Sequence, residues 1–239
     1  MRPSSVANNI NQNGDICGWM GTVAAGAFPA HAFVWRNGKV TDIGVLAGAN
    51  NSQATALNDV GQVAGRATFG TSATGFTQRG WFWEEGTGMV ELCTECTQSY
   101  VYDMNDAGQV VGFAGIPNAP LVGAASIWEK GKMRLLGTMT DLPTGMLLLH
   151  AYGINNAGQI TGDAMNLNGN GDLFTFILTP IPTLAGDTNC DHVVNIDDLT
   201  AVILHWGSDN EDADVNEDGV VDSGDLMEVI ANWSMEDGG

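Results

Sequence analysis

The chain has 239 residues, of which 44% are hydrophobic and 15% charged, and its 28 acidic residues against 8 basic ones give a formal net charge of −20. That imbalance disfavours phosphate backbones and anionic membrane surfaces as partners. No run approaches the roughly 20 apolar residues that a spanning helix requires, and the opening Met1-Arg-Pro-Ser-Ser-Val6 is too polar for a secretory signal, which leaves a removed signal, a misplaced start or a beginning inside a repeat.

From its start to about residue 180 the chain repeats itself. The pattern Asn-X-X-Gly-Gln/Asp-hydrophobic-X-Gly occurs at 11–18, 58–65, 105–112 and 155–162, and its turn glycines Gly14, Gly61, Gly108 and Gly158 are separated by 47, 47 and 50 residues. Such a period marks a modular array. Each period has an alternating run such as Ala54-Thr-Ala-Leu57, the Asn-X-X-Gly turn, and a second run such as Gln62-Val-Ala-Gly65. A third run follows, at 32–35, 80–83, 126–128 and, in the last copy, 174–178. In three copies a fourth run comes after a Gly-containing turn, as at 38–44. Short strands with turn signals and no amphipathic helix predict antiparallel sheet, and four strands per period predict β-propeller blades.

The segments His31-Ala-Phe-Val-Trp-Arg-Asn-Gly38 and Ile154-Asn-Asn-Ala-Gly-Gln-Ile-Thr-Gly162 resemble the extracellular repeats named for His-Ala-Phe. The resemblance covers about residues 5–180; it implies an extracellular, propeller-like β-repeat domain, with bounds expected at 1–180, and says little about chemistry. Three complete periods and a fourth without its last strand predict about four blade-like repeats, which are few for a closed ring although four-bladed propellers exist, so that an open or incomplete array is the other arrangement the count allows. Its edges would need a cover. A solenoid-like sheet or a stacked sandwich is the alternative.

Few residues of this region suggest chemistry. Cys93 and Cys96 fit a small disulfide loop, free thiols, a redox pair or half of a zinc site; with no strand-to-helix junction and no second Cys or His pair, the local disulfide is preferred. Cys17 and Cys190 are expected to be structural. Trp35, Trp83 and Trp128 recur at one repeat position, which favours packing over a sugar-stacking platform. His31 and His150 have no activated Ser or Cys motif beside them, and Glu84, Glu85 and Asp141 are isolated on loops. A glycosidase needs two carboxylates at a defined separation, so no catalytic residue is assigned.

Beyond an expected linker at 181–186, the segment 187–239 contains one twelve-residue acidic loop twice, at 187–198 and 214–225. Both copies carry oxygen side chains at loop positions one, three, five, nine and twelve, the spacing that wraps a short backbone around a hard cation such as calcium. Leu199, Val202, Ile203 and Trp206 follow the first loop at the offsets of Leu226, Val229, Ile230 and Trp233 after the second. That periodicity predicts two short helices sharing one core, with both tryptophans inside it. More than half of the acids lie here and no Lys or Arg follows Arg134, so folding is expected to depend on metal.

The tandem loop-helix pattern resembles a type I dockerin over about 186–235. The resemblance implies two Ca2+ ions. The first would be held by Asp187, Asn189, Asp191, Asn195 and Asp198 with the Val193 carbonyl, the second by Asp214, Asn216, Asp218, Asp222 and Asp225 with the Val220 carbonyl. Position six is Gly219 in the second loop and His192 in the first, which predicts a weaker first site. The positions that read the partner would be Ile196 and Asp197 in one copy and Ser223 and Gly224 in the other, two chemically unequal faces. The expectation is a mainly β repeat domain joined to a small all-α calcium-binding domain. Its function would be non-catalytic scaffolding or binding outside the cell or at its surface, docking a cohesin-like or other surface protein, with no nucleic acid and no membrane span. The alternative is glycoside hydrolase or carbohydrate-binding activity in the β-repeat domain, as part of a polysaccharide-degrading system.

Overall fold

The computed structural model describes residues 2–23, 30–71, 73–117, 123–169, 171–181, 184–189, 193–210 and 212–234. The chain divides into two compact units, Met1–Pro180 and Ile181–Gly239.

In the first unit four antiparallel sheets follow one another in chain order. Sheet one comprises β1 (Arg2–Ile10), β2 (Ile16–Val23), β3 (Ala30–Arg36) and β4 (Lys39–Gly44). Sheet two comprises β5 (Asn51–Leu57), β6 (Val63–Thr71), β7 (Gly75–Glu84) and β8 (Gly88–Glu91). Sheet three comprises β9 (Gln98–Met104), β10 (Val110–Gly115), β11 (Ala124–Glu129) and β12 (Lys132–Leu135), and sheet four β13 (Met146–Ile154), β14 (Ile160–Asn166) and β15 (Leu173–Leu178). Every sheet is a meander, and the fourth has three strands among the described residues, as the truncated last period predicts. The first strand of each later sheet packs on the second and third strands of the sheet before it. The array is therefore a row of propeller-like blades with its core between them.

The repeat motif has a physical reason at each position. In the second copy, Asn58 Oδ1 accepts the Gln62 backbone N–H at 2.8 Å while its Nδ2 donates to Gln62 Oε1 at 2.7 Å. Gly61 takes φ +98°, a left-handed value that a side chain would strain, and its N–H donates to the Asn58 carbonyl. The terminal glycine answers a different constraint. Beside the β-bulge between Ala54 and Ala56 the two strands run so close that a Cβ on Gly65 would lie 2.1 Å from the Gln53 carbonyl oxygen and 2.5 Å from the Trp81 ring. Gly112 meets the Tyr100 carbonyl in the same way.

The expected tryptophan positions pack. Trp83 is buried, Trp35 and Trp128 are half-buried, and Trp128 lies 5.0 Å from Phe82 across the junction of sheets two and three. Cys93 and Cys96 form a disulfide against Ala114. Cys17 is a buried free thiol in β2; burial pushes its pKa up to about 12, only partly offset by a hydrogen bond with the Asn9 backbone. Cys190 lies outside the described residues.

The second unit has two nine-residue helices, α1 (Ile196–Leu204) and α2 (Ser223–Ala231), whose shared core is Val194, Val202, Ala213, Val221 and Val229, flanked by Leu199, Val215 and Leu226. One expectation is overturned. Trp206 and Trp233 are not core: they are 51% and 41% exposed, and Ile203 and Ile230 are 56% and 50% exposed. The helices stop at Leu204 and Ala231, so the two tryptophans lie past the last turn and leave the 3.6-residue period. Five small side chains already fill the space between such short helices.

Candidate calcium loops

Each acidic loop runs into the helix behind it, and its last ligand positions form the helix start. Asn195 is the N-cap of α1, accepting the Asp197 N–H, while Asp198 accepts the Asn195 N–H at 2.8 Å. Asp222 and Asp225 do the same for α2, with the Asp222 N–H donating to Asp225 at 2.8 Å. These are capping boxes, legible in the sequence as Asn-X-X-Asp and Asp-X-X-Asp but hidden behind the stronger cation pattern. Loop positions nine and twelve thus fix the helix axis while offering oxygens to the loop.

The closing aspartates also hold the first turn. Asp198 Oδ1 accepts the Thr188 N–H at 2.8 Å, the Thr188 hydroxyl at 3.0 Å and the Asn189 N–H at 3.4 Å. Burial works against the charge on Asp198, but the backbone N–H groups of Asn195, Thr188 and Asn189 and the Thr188 hydroxyl outweigh it, and the carboxyl sits below its usual range. In the second loop Asp225 Oδ1 accepts the Asn216 N–H at 3.1 Å. Asp214 accepts N–H groups from Asp218 at 3.1 Å and Gly219 at 2.8 Å, and Asp218 accepts that of Val220 at 3.1 Å. Gly219 takes φ +95°, where the sharp turn was expected.

Of the expected ligands, Asp187, Asp198, Asp214 and Asp225 are buried, at 7%, 0%, 8% and 0% exposure, and Asn195 and Asp222 are half-buried. Asn216, Asp218 and Val220 lie on the open side of the second loop. Asp191 and His192, and with His192 the expectation of a weaker first site, fall outside the described residues. Among the described residues no three His, Cys, Asp or Glu side chains are gathered as a metal cluster. The carboxylates instead turn to backbone N–H groups of their own loops.

The donor chemistry fits a hard divalent ion. Four carboxylates are buried in a unit whose sequence contains no Lys or Arg, and burying a charge without a counter-charge is costly. Two oxygen-rich loops of equal length supply carboxylate, amide and carbonyl oxygens, the set calcium prefers.

Residues 185–233 are a dockerin type I domain. The match to that family model covers both loops and both helices. Dockerin domains bind calcium and serve calcium-dependent protein–protein docking, which sets the coarse role of this end of the chain. No curated protein matches the chain. Among solved structures it is similar to the beta-propeller domain of the Trilobed protease from Pyrococcus furiosus, described as having an open velcro topology. The identity is 10%, the TM-score 0.42, and the likeness covers 74% of this chain and 51% of that one, so the chain spans about half the length of the structure it matches. No helix among the described residues is long and apolar enough to cross a membrane.

Proposed function

We propose that the chain is a non-catalytic binding or scaffold component, outside the cell or at its surface, whose dockerin binds two calcium ions and docks a cohesin-type partner. The ions are assigned to Asp187, Asn189, Asp191, Asn195, Asp198 and the Val193 carbonyl, and to Asp214, Asn216, Asp218, Asp222, Asp225 and the Val220 carbonyl. The burial of Asp187, Asp198, Asp214 and Asp225 in a unit with no Lys or Arg carries this reading. Free calcium at the required concentration is a feature of extracellular fluid, which supports the location. The docking surface falls on the apolar side chains that helix packing leaves out: Ile196, Ile203, Leu204 and Trp206 beside α1, and Met227, Ile230 and Trp233 beside α2. Exposed tryptophan next to aliphatic side chains is the composition of an interface hot spot.

Retention of the chain on an immobilised cohesin-type domain tests the reading. Binding should be present in calcium, absent in EDTA, and lost in Trp206→Ala or Trp233→Ala variants that still fold. Equal retention in EDTA overturns it.

A second reading, carbohydrate binding by the β repeats, is favoured by one cluster on β9, β13 and β14. Tyr152 is 49% exposed, its ring lies 5.1 Å from Tyr102, and His150 stacks on it at 5.5 Å with 20° between planes. Asp163 lies 2.8 Å from His150 Nδ1 and accepts the Tyr152 hydroxyl at 3.4 Å. Aromatic faces beside hydrogen-bonding groups suit a sugar ring. Retention on a polysaccharide panel that Tyr152→Ala removes would support it; retention unchanged by that variant would dismiss the cluster.

A further inference from the structure

Each junction between sheets repeats one arrangement, and the two ends of the row display its two halves. The third strand of one sheet and the first strand of the next contribute a pair of apolar residues to a single buried cluster. The pairs are Val34 with Leu57, Phe82 with Met104, and Ile127 with Ile154. Strand register fixes the equivalent positions at the ends. Ile177 faces Thr161 in β14 as Ile127 faces Val111 in β10, and Ile10 faces Ile16 in β2 as Leu57 faces Val63 in β6. All six junction residues are at most 9% exposed, whereas Ile177 is 71% and Ile10 is 63% exposed.

The polar part of the junction is displayed in the same way. Ser52 accepts the Ala32 N–H of sheet one at 2.8 Å, and Ser99 accepts the Gly80 N–H of sheet two at 2.7 Å. Ser5 occupies that register in β1, opposite Met20 as Ser52 is opposite Ala67, and Thr175 occupies the register of Ala32 and Gly80 in β15. Both are exposed. A ladder of turn asparagines runs along the row, Nδ2 of Asn11, Asn58 and Asn105 donating to the carbonyls of Asn58, Asn105 and Asn155 at 2.9, 3.0 and 3.2 Å. Its ends are the Asn155 amide and the Asn11 carbonyl.

We infer that the outer face of sheet four docks sheet one of a second copy of this chain, head to tail, burying Ile177 against Ile10 of that copy and continuing the junction used three times within each chain. The occupant is argued from the matched halves: Ile177 and Asn155 at one end meet Ile10 and Asn11 at the other in the order of every internal junction, and Thr175 meets Ser5 in the order of the first two. A contact between unlike faces closes into a ring or grows into a filament. Two copies supply eight sheets, within the roughly four to eight of closed propellers, so a ring of two leaves neither face open.

Sedimentation velocity of the full chain in calcium, across a wide concentration range, tests this with two variants whose altered side chains face solvent in the single copy, Ile10→Lys and Ile177→Lys. At concentrations low enough for the unmodified chain to be monomeric, circular dichroism and melting temperature of the variants should match it. The unmodified chain should associate, as a dimer or as a series of larger species, and each variant alone should weaken association by more than about tenfold. Mixing the two variants should restore a 1:1 pair, because one keeps an intact sheet four and the other an intact sheet one. A chain that stays monomeric throughout, association that both variants retain, or failure of the mixture to pair would overturn the inference.

Discussion

The side-chain amide of Asn58 donates to the backbone carbonyl of Asn105, 47 positions further along the chain, at 3.0 Å. The same asparagine closes its own turn through Gln62 and is only 3% exposed. Turn and junction therefore hang on one side chain, which is why the motif recurs at the period of the sheets. Asn58→Ala should cost about 2–3 kcal/mol, because it removes the bond to the Asn105 carbonyl across the junction and leaves the Gln62 N–H without its acceptor. Asn155→Ala, at the exposed end of the ladder, should cost under about 1 kcal/mol. Thermal melting of the two variants checks the order, and equal losses would contradict it.

Gly65→Ala should destabilise the first unit by about 3 kcal/mol or more, since the added methyl meets the Gln53 carbonyl and the Trp81 ring, neither able to move without opening the strand pair. Gly14→Ala, where a Cβ meets nothing within 4 Å but φ is +81°, should cost only the backbone strain of about 1–2 kcal/mol. Chemical denaturation of both variants separates collision from strain.

Calcium should appear as two saturable events in titration calorimetry, with Asp187→Ala and Asp214→Ala each removing one. With free calcium at 100 times a site's dissociation constant, each ion adds roughly 2.7 kcal/mol to the folded dockerin. The helical circular dichroism signal should therefore melt at a lower temperature in EDTA than in excess calcium. Identical curves would remove the metal from the account.

Val202→Ala and Trp206→Ala should behave oppositely. Val202 is fully buried between the helices, and its truncation should cost about 1–3 kcal/mol by transfer and cavity terms. Trp206 is 51% exposed past the end of α1, so its loss should leave the melting temperature nearly unchanged while weakening partner binding.

Cys17 gives a pH signature. Burial lifts its pKa from 9.0 to about 12, so the folded chain holds a proton that the unfolded chain releases near 9.0. The stability this confers is complete below pH 9 and is lost as pH rises toward 12, up to about 4 kcal/mol in total. At pH 8 the native thiol should resist a thiol-reactive dye and react only on unfolding. A Cys17→Ala variant should show a flatter decline in stability above pH 9.

Much of this was legible in the residues. The spacing of Gly14, Gly61, Gly108 and Gly158 announced the sheets, and the three strands that the fourth sheet has among the described residues were readable because no Gly-turned fourth run follows residue 178. The two acidic loops were legible because the spacing of their oxygen side chains is local: twelve consecutive residues carry the whole pattern. The capping boxes, equally local, were masked by it. The places of Trp206 and Trp233 were misread because their periodicity presumes a helix that continues past Leu204 and Ala231, where both helices end.

By itself the sequence announced about four repeats of antiparallel strands and two acidic loops, because strand alternation, turn chemistry and the spacing of oxygen side chains act over a few neighbouring residues. Only the tertiary structure decided which apolar residues are covered. Ile127 and Ile177 carry the same side chain at the same register, yet one is 4% and the other 71% exposed, because burial depends on whether another sheet packs on that face. Neighbours in space, not in sequence, settle that.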